Sequence, residues 1–162
     1  MTLLNNLLDW NDVETWLQKA YNKRVSRDAS EDRLLEESMN DSEKLTYFIA
    51  EKNNIVVISL IGPLLRGNAH VLEACMDEIS RRNVRFVIVN FRDVPNTMDR
   101  TVIPALARLQ RLIRSKPAVL RMSSIHPDLR RTLETQGILR PEELANNLSD
   151  ALKSLVVDAN AA

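Results

Sequence analysis

Residues 84–89 read Val-Arg-Phe-Val-Ile-Val, and five of these six side chains are apolar. A strand with one face in water alternates apolar and polar residues, whereas a nearly continuous apolar run is typical of a strand covered on both faces. The run therefore predicts a central strand. The segments on either side of it decide which elements surround that strand.

Upstream of this strand, two segments are rich in β-branched and aromatic residues, namely Thr46–Glu51 and Ile55–Ile61. Lys52-Asn53-Asn54 between them has turn chemistry, so the pair predicts a β-hairpin. Gly62-Pro63 ends the second strand. A helix capped by Asn68 is expected next, because apolar side chains recur there at helical spacing: Val71, Leu72, Cys75, Met76 and Ile79.

Downstream of the central strand, a loop from Arg92 to Met98 leads into a helix with four core-facing positions: Val102, Leu106, Leu109 and Ile113. The apolar run Ala118–Leu120 predicts a fourth strand. Pro127 opens a helix through Leu133 that Gly137 ends, and Pro141 opens a last helix through Leu155. The order β-β-α-β-α-β-α-α predicts an α/β (α+β) fold, a four-stranded mixed sheet flanked by helices.

The first part of the chain has a different pattern. Asn11 and Glu14 are spaced as in a capping box, and Val13, Trp16, Leu17 and Ala20 form an apolar stripe. One amphipathic helix over 12–21 is therefore expected, with a second short helix around Leu34, Leu35 and Met39. We divide the chain into a helical N-terminal extension (1–44), the sheet domain (45–157) and a short tail (158–162). Because both tryptophans lie in the extension, we expect it to dock on another surface.

The net charge of the chain is zero because an acidic part and a basic part cancel each other. Its 162 residues hold 22 Lys+Arg and 22 Asp+Glu. The first 44 residues carry 6 basic and 10 acidic side chains, so 6 − 10 = −4, and the remainder carries 16 − 12 = +4. Between Arg100 and Arg131 the count is 8 basic and 1 acidic, or 8 − 1 = +7.

Four arginines of this basic stretch fall on about one third of a helix, largely opposite its apolar stripe: Arg100, Arg108, Arg111 and Arg114. Such a face is either simply solvated or a docking surface for an acidic protein partner or for the acidic N-terminal extension. An anionic ligand or a nucleic acid is a further alternative. The stretch contains no Phe, Tyr or Trp to stack on a base, which argues against nucleic acid.

Several function classes have no support in the sequence. No stretch approaches the length of a membrane span, and the N-terminus MTLLNNLLDW has none of the features of a signal peptide, so a cytoplasmic location without membrane insertion is expected. Cys75 stands alone, and no Cys/His cluster has metal-ligand spacing. His126 precedes a proline at a helix entry. Without a glycine-rich phosphate loop or a nucleophile motif, we expect no catalytic residue, cofactor or metal.

Four segments follow one another along the second part of the chain: the run Ile55–Leu64, the strand Phe86–Phe91, the loop end Met98-Asp99-Arg100-Thr101, and Ile125–Ile138. As an ordered set they resemble the landmarks of the STAS domain, the fold of bacterial anti-sigma factor antagonists. The resemblance covers Thr46 to Leu155. It implies a four-stranded sheet with helices packed against it, and an activity of binding rather than catalysis.

The resemblance also implies a regulated residue. In the family, a kinase that is often the anti-sigma factor itself phosphorylates a Ser or Thr in an Asp-Ser-Ser-Gly-like loop at a helix start, which breaks the complex. The matching positions here are Asp99, Arg100, Thr101 and Val102, and Thr101 is therefore the candidate phosphoacceptor. Arg100 and Val102 depart from the small residue and the glycine of the family pattern, and Leu65 stands where an acidic residue is common.

Thr101 also has a purely structural interpretation. As the N-cap of the helix it would place Pro104 in the first turn, where the missing N–H of proline costs no hydrogen bond. A capping hydroxyl contributes about 1 kcal/mol. Both interpretations place Thr101 at the start of the helix.

We interpret the chain as a non-catalytic regulatory module that binds a protein partner, namely an anti-sigma factor, a Ser/Thr kinase or another signalling protein. The residues expected to contact it are Leu65, Arg66, Asn68, Asn96, Met98, Asp99, Arg100, Thr101, Arg108 and Arg111. One alternative is an accessory subunit of a membrane transporter, since STAS-like domains also occur in that role. Another is a nucleotide- or anion-binding sensor. The extension would then be an autoinhibitory, homodimerising or second-partner element.

Overall fold

The computed structural model describes residues 44–161, together with Thr15 and Lys19, which are helical and exposed; side chains are described as far as Leu155. The helix expected over 12–21 lies outside the described residues apart from these two positions. The expected helix around Leu34 lies outside them entirely. The division into extension, domain and tail stays a prediction.

Five strands and four α-helices make up the domain. They are β1 (Thr46–Lys52), β2 (Ile55–Ile61), α1 (Ala69–Ser80), β3 (Phe86–Asp93), α2 (Ile103–Ser115), β4 (Val119–Ser123), α3 (Pro127–Thr135), β5 (Leu144–Ala145) and α4 (Leu148–Ala161). Short 3₁₀ turns precede α1, α2 and β5, at Arg66–Asn68, Arg100–Val102 and Pro141–Glu143. The predicted α/β class with a mixed sheet is confirmed.

The sheet has the strand order β1-β2-β3-β4-β5, in which β1 runs antiparallel to β2 and all other neighbours are parallel. The β1–β2 hairpin closes through Asn53 and Asn54, whose φ angles of 52° and 66° are those of a type I′ turn. Strand β3 lies in the middle, with Val87 and Ile88 both fully buried on opposite faces. The central strand predicted from its continuous apolar run is confirmed.

One face of the sheet holds the larger core. Apolar side chains of the central strands, such as Ile58 and Val89, pack there against three helices. The helices contribute a shared set of buried residues: Leu72, Cys75 and Ile79 from α1, Leu106, Leu109 and Ile113 from α2, and Leu129 and Leu133 from α3. Each such side chain stabilises the fold by about 1.5–3 kcal/mol. This packing holds α2 in a fixed position against the parallel strands.

The other face of the sheet packs against α4. Ala151, Leu152 and Leu155 of this helix lie in one cluster with sheet residues such as Val57 and Ile88. Arg121 of β4 is buried on this face, and its Nε donates a hydrogen bond to Ser154 Oγ of α4 at 3.0 Å. The strands are therefore covered on both sides, as the apolar run of β3 requires.

The structure differs from the sequence prediction after Pro141. A long helix was expected to begin there, but Pro141 opens only a 3₁₀ turn, and Leu144–Ala145 then pairs with Met122 and Ser123 as a fifth strand. Helix α4 begins at Leu148, after Asn147, whose Oδ1 accepts a hydrogen bond from the N–H of Asp150 at 2.8 Å. The asparagine cap thus starts the helix seven residues later than the proline would.

The expected cap at the start of α1 is also corrected. The side chain of Asn68 makes no capping hydrogen bond, and its Nδ2 instead donates to the carbonyl oxygen of Pro63 at 3.0 Å. Asn68 is only 8% exposed. It therefore closes the turn between β2 and α1 from the inside.

Candidate functional site

The turn after β2 and the loop after β3 meet at the carboxyl ends of their parallel strands. Leu64 and Met98 form an isolated parallel bridge, and the N–H of Asp99 donates to the carbonyl oxygen of Leu64 at 2.8 Å. Because crevices at the carboxyl ends of parallel strands are the common binding places of open α/β sheets, this junction is a natural location for a site. The structure thereby brings together the two loops singled out in the sequence.

Asp99 organises the junction. Its Oδ1 accepts hydrogen bonds from the backbone N–H of Thr101 at 2.9 Å and from the Thr101 hydroxyl at 2.8 Å. These two bonds lower the pKa of the Asp99 carboxyl below its ordinary value, with the nearby Arg66 charge and the Arg66 backbone N–H acting in the same direction. The carboxylate stays charged and links the Arg66 turn to the start of α2.

The capping assignment at α2 therefore differs from the sequence prediction. Asp99, not Thr101, is the N-cap, and it caps the 3₁₀ turn Arg100–Val102 that leads into the helix. Pro104 lies within the first two positions of α2, where its missing N–H costs nothing. Thr101 is exposed, and its hydroxyl is bound to Asp99 alone among the described residues.

Two asparagines hold the loops in place. Asn68 was one of the predicted contact residues, but its buried side chain binds the Pro63 carbonyl oxygen. It therefore holds the turn in place beneath the exposed surface. Asn96 is exposed, and its Nδ2 donates to Asp128 Oδ2 of α3 at 3.3 Å. Asp128 has no sequence signal for this role, because a contact across 32 residues leaves no local pattern.

Helix α2 extends the site with basic side chains. Arg100, Arg108 and Arg111 are exposed, but Arg108 is paired with Glu73 of α1 at 2.9 Å. Arg66, Arg100 and Arg111 form no ion pair with any residue in the described part of the chain. Within residues 44–155, the guanidinium groups of Arg66, Arg100 and Arg111 therefore have no carboxylate within ion-pair distance. Arg66 acts on Asp99 through its longer-range charge, Arg100 begins the turn before α2, and Arg111 lies further along that helix.

The basic stretch of the sequence is divided in the structure. Arg114 was expected on the same helix face, but it lies half-buried and binds Glu143. Arg121 is buried in the sheet, and Arg130 is paired with Glu134 at 2.9 Å. A charge count along the sequence therefore overstates the basic surface, because Arg114 and Arg121 are withdrawn into the fold and the exposed Arg130 is paired with a carboxylate.

We use the name loop–helix surface for the exposed and half-exposed residues of this region: Leu65, Arg66, Asn96, Met98, Asp99, Arg100, Thr101, Arg108 and Arg111. Leu65 and Met98 are its half-exposed apolar members. Arg66 and Arg100 lie in the two turns that follow them, and Arg108 and Arg111 lie further along α2. A second feature, a groove of about 290 Å³ between α3 and β5, lies outside it and is lined by Ile125, Pro127, Arg130, Arg131, Glu134, Leu144, Ala145 and Asn146.

Two other kinds of site are not found in the described part of the chain. No group of three or more His, Cys, Asp or Glu side chains is placed there to hold a metal ion. None of its helices is long and apolar enough to cross a membrane.

Solved structures with the same fold include three of different origin. A sulfate transporter family protein from Wolinella succinogenes is 24% identical, with a TM-score of 0.58, and the match covers 67% of this chain and 92% of that one. An anti-sigma factor antagonist from Mycobacterium paratuberculosis is 18% identical (TM-score 0.58; 69% and 94% covered). The phosphorylated form of the Bacillus cell fate determinant SpoIIAA is 16% identical (TM-score 0.51; 68% and 99% covered).

A search of the curated proteins finds no match. The family model for the STAS domain matches residues 48–151, which span the sheet from β1 to the first turn of α4 and include the whole loop–helix surface. Together with the fold and the position of the Asp99–Thr101 loop, this match shows that the chain belongs to the STAS domain family.

Proposed function

We propose that the chain is a non-catalytic regulatory module that binds a protein partner through the loop–helix surface, and that Thr101 controls this binding. The observation that carries the proposal is the exposed Thr101 hydroxyl, held 2.8 Å from Asp99 Oδ1 at the start of α2. STAS domains are generally regulatory rather than enzymatic. We expect the module to act in the cytoplasm.

A phosphate on Thr101 would change this surface strongly. It replaces the hydroxyl proton that now binds Asp99 and adds about −1.5 to −2 charges next to a carboxylate. Repulsion from Asp99 and attraction to Arg66 and Arg100 would then rearrange the junction. The start of α2 favours an added anion, because its first N–H groups point outward and the helix dipole is positive there.

The chemistry of the surface indicates what kind of partner fits it. Leu65 and Met98 offer half-exposed apolar side chains, and Arg66, Arg100 and Arg111 offer exposed positive charge on the same surface. Arginines at the rim of an interface steer an oppositely charged partner and select it by charge. The partner face is therefore acidic with an exposed apolar side chain, which suits an anti-sigma factor, a kinase or another signalling protein.

A comparative capture experiment tests the partner surface. The full chain and three variants, R100E, T101E and R81E, are immobilised and exposed to a lysate of the source organism, and bound proteins are identified by mass spectrometry. Arg81 is a matched control, because it is exposed at the far end of α1. We expect one protein to bind the wild-type chain and R81E but neither R100E nor T101E. Equal capture by all four chains would refute the proposed surface.

A membrane transporter is the second candidate partner. It is favoured by the structural likeness to the sulfate transporter family protein from Wolinella succinogenes. The same capture from detergent-solubilised membranes distinguishes the two candidates. A permease retained by wild type and R81E identifies the chain as an accessory subunit of a transporter, whereas a kinase or anti-sigma factor identifies it as a signalling module.

The phosphorylation step needs its own test. The captured partner, incubated with the full chain and ATP, is expected to place phosphate on Thr101, which peptide mass spectrometry locates. T101V is the matched control, since valine keeps the shape of the side chain and removes the acceptor oxygen. Phosphate found elsewhere, or the same amount on T101V, contradicts the role of Thr101.

A further inference from the structure

The chain enters the domain beside the loop–helix surface. The carbonyl oxygen of Lys44 lies against Gly62, and the N–H of Asp99 binds the carbonyl oxygen of Leu64, two residues after Gly62. Strand β1 begins at Thr46, whose Oγ1 donates to the carbonyl oxygen of Ile61. The chain that precedes Lys44 is therefore attached to the domain at the carboxyl ends of the parallel strands, where Asp99 and Thr101 lie.

The segment just before this tether is strongly acidic. Residues 28–43 read Asp-Ala-Ser-Glu-Asp-Arg-Leu-Leu-Glu-Glu-Ser-Met-Asn-Asp-Ser-Glu, with seven acidic side chains and one basic, so 1 − 7 = −6. We call these 16 residues the acidic tract. They also contain three larger apolar side chains, Leu34, Leu35 and Met39. The tract thus has the acidic and apolar character that the loop–helix surface requires of a partner.

We infer that the acidic tract is an intramolecular occupant of the loop–helix surface, where its carboxylates face Arg66, Arg100 and Arg111 and compete with the partner. The inference rests on the proposed function for the surface, and it identifies what covers that surface when no partner is bound. The three arginines have no ion-pair partner within residues 44–155, so the tract would supply the missing carboxylates.

The reach of the tract is sufficient. From Arg100 to Arg111 the distance along the helix is about 17 Å at 1.5 Å per residue. Sixteen residues span up to about 55 Å when extended, so the tract covers this distance even when it is far from fully stretched. Because the acidic tract is covalently attached beside the loop–helix surface, its effective concentration at that surface is on the order of millimolar. Weak individual charge contacts therefore suffice to keep the surface partly occupied.

Paramagnetic relaxation measures this contact directly on the full chain. A nitroxide label is attached to S38C in the middle of the tract; the native Cys75 is buried and its thiol pKa is raised to about 12, so the label attaches only to the new cysteine. At an ionic strength of about 20 mM the backbone amide signals of Arg66, Arg100 and Arg111 should lose intensity relative to the reduced label, because charge contacts are then weakly screened. The amide of Lys153 should keep its intensity, because it is exposed on α4, which packs on the other face of the sheet.

Two changes should abolish the effect. Raising the salt to about 1 M shortens the Debye length to about 3 Å and should restore the three signals. The charge-reduced tract variant E36Q/E37Q/D41N/E43Q lowers the net charge of the tract from −6 to 1 − 3 = −2 and should restore most of their intensity at low salt, whereas R81E should not. The inference is overturned if Arg100 and Arg111 keep full intensity at low salt when the tract carries all its carboxylates, or if the charge-reduced variant loses as much intensity. These measurements need no partner, so a failed capture experiment and a failed tract contact are told apart.

Discussion

Arg114 and Glu143 join the end of α2 to the turn before β5 through a two-point ion pair. Arg114 Nε lies 2.9 Å from Glu143 Oε1, and its Nη2 lies 3.2 Å from Oε2. The same guanidinium donates to the carbonyl oxygen of Ile138 at 3.3 Å. The Glu143 side chain is only 7% exposed, and Arg114 is its nearer partner, since Arg140 Nε lies 3.7 Å from Glu143 Oε1.

Removing only one member of this pair should destabilise the domain. R114M leaves the buried Glu143 carboxylate with only the more distant Arg140, which we expect to cost about 3 kcal/mol in the free energy of unfolding. The double variant R114M/E143L removes both charges and should recover most of that loss. Urea denaturation followed by circular dichroism measures both. If the double variant were as unstable as R114M, the lost stability would come from packing and not from the buried carboxylate that has lost its nearer partner.

Gly62 is expected to tolerate no side chain. Its φ angle is +111°, and a Cβ at this position would collide with the carbonyl oxygen of Lys44. G62A should therefore lower the free energy of unfolding by about 1–3 kcal/mol through backbone strain alone, with the collision adding to this loss. G67A is the matched control, because no atom lies within 4 Å of the corresponding Cβ. Equal unfolding midpoints for the two variants would show that Lys44 does not press on Gly62.

Cys75 should be unreactive in the folded protein. Burial, with a smaller contribution from the Glu78 charge, raises the pKa of its thiol from 9.0 to about 12. Iodoacetamide at pH 8 should therefore alkylate Cys75 only after the chain is unfolded in urea, whereas an exposed cysteine in S80C reacts at once. Rapid alkylation of the native wild-type chain would contradict the buried position of Cys75.

The raised pKa of Cys75 also predicts the direction of a pH effect. Between pH 9 and 12 the thiol is ionised in the unfolded chain and protonated in the folded one, so the unfolded state binds fewer protons. Stability should consequently fall as the pH rises through this range. C75A titrated by urea denaturation over the same range should lose less stability with increasing pH, and an identical slope would remove Cys75 as the cause.

The strands and helices that bury apolar side chains could be predicted from the sequence, because burial leaves a regular pattern. The continuous run ending at Val89 marked the central strand, and the stripe Val102, Leu106, Leu109 and Ile113 marked the core face of α2. Strand β5 has only two residues, Leu144 and Ala145, which is too short for any period to appear. It forms because the backbone of β4 offers hydrogen bonds at its edge.

The site was predictable in position but not in detail. Asp99 and Thr101 are both good capping residues, and Asp99 is the cap because Thr101 lies inside the 3₁₀ turn Arg100–Val102 that precedes α2. The arginines between residues 100 and 131 are alike in sequence, yet contacts 24 to 33 residues away place Arg114 and Arg121 inside the fold. Such contacts depend on the packed structure and leave no local signal.

The Asp99–Thr101 hydrogen bonds should be visible in a pH titration. Because the bonds from Thr101 lower the pKa of Asp99, the stability that they contribute is present above the unfolded pKa and is lost as the pH falls through the folded one. An NMR titration of the Asp99 carboxyl carbon should therefore give a pKa below 3.8 in the wild-type chain. T101V removes the hydroxyl bond and keeps the backbone bond, so its Asp99 pKa should rise but remain below 3.8.

T97V is the matched control, since Thr97 is exposed in the same loop and makes no hydrogen bond to Asp99. An Asp99 pKa that is the same in T101V, T97V and wild type would show that the Thr101 hydroxyl does not hold this carboxylate, and a phosphate placed there would then have no hydrogen bond to break.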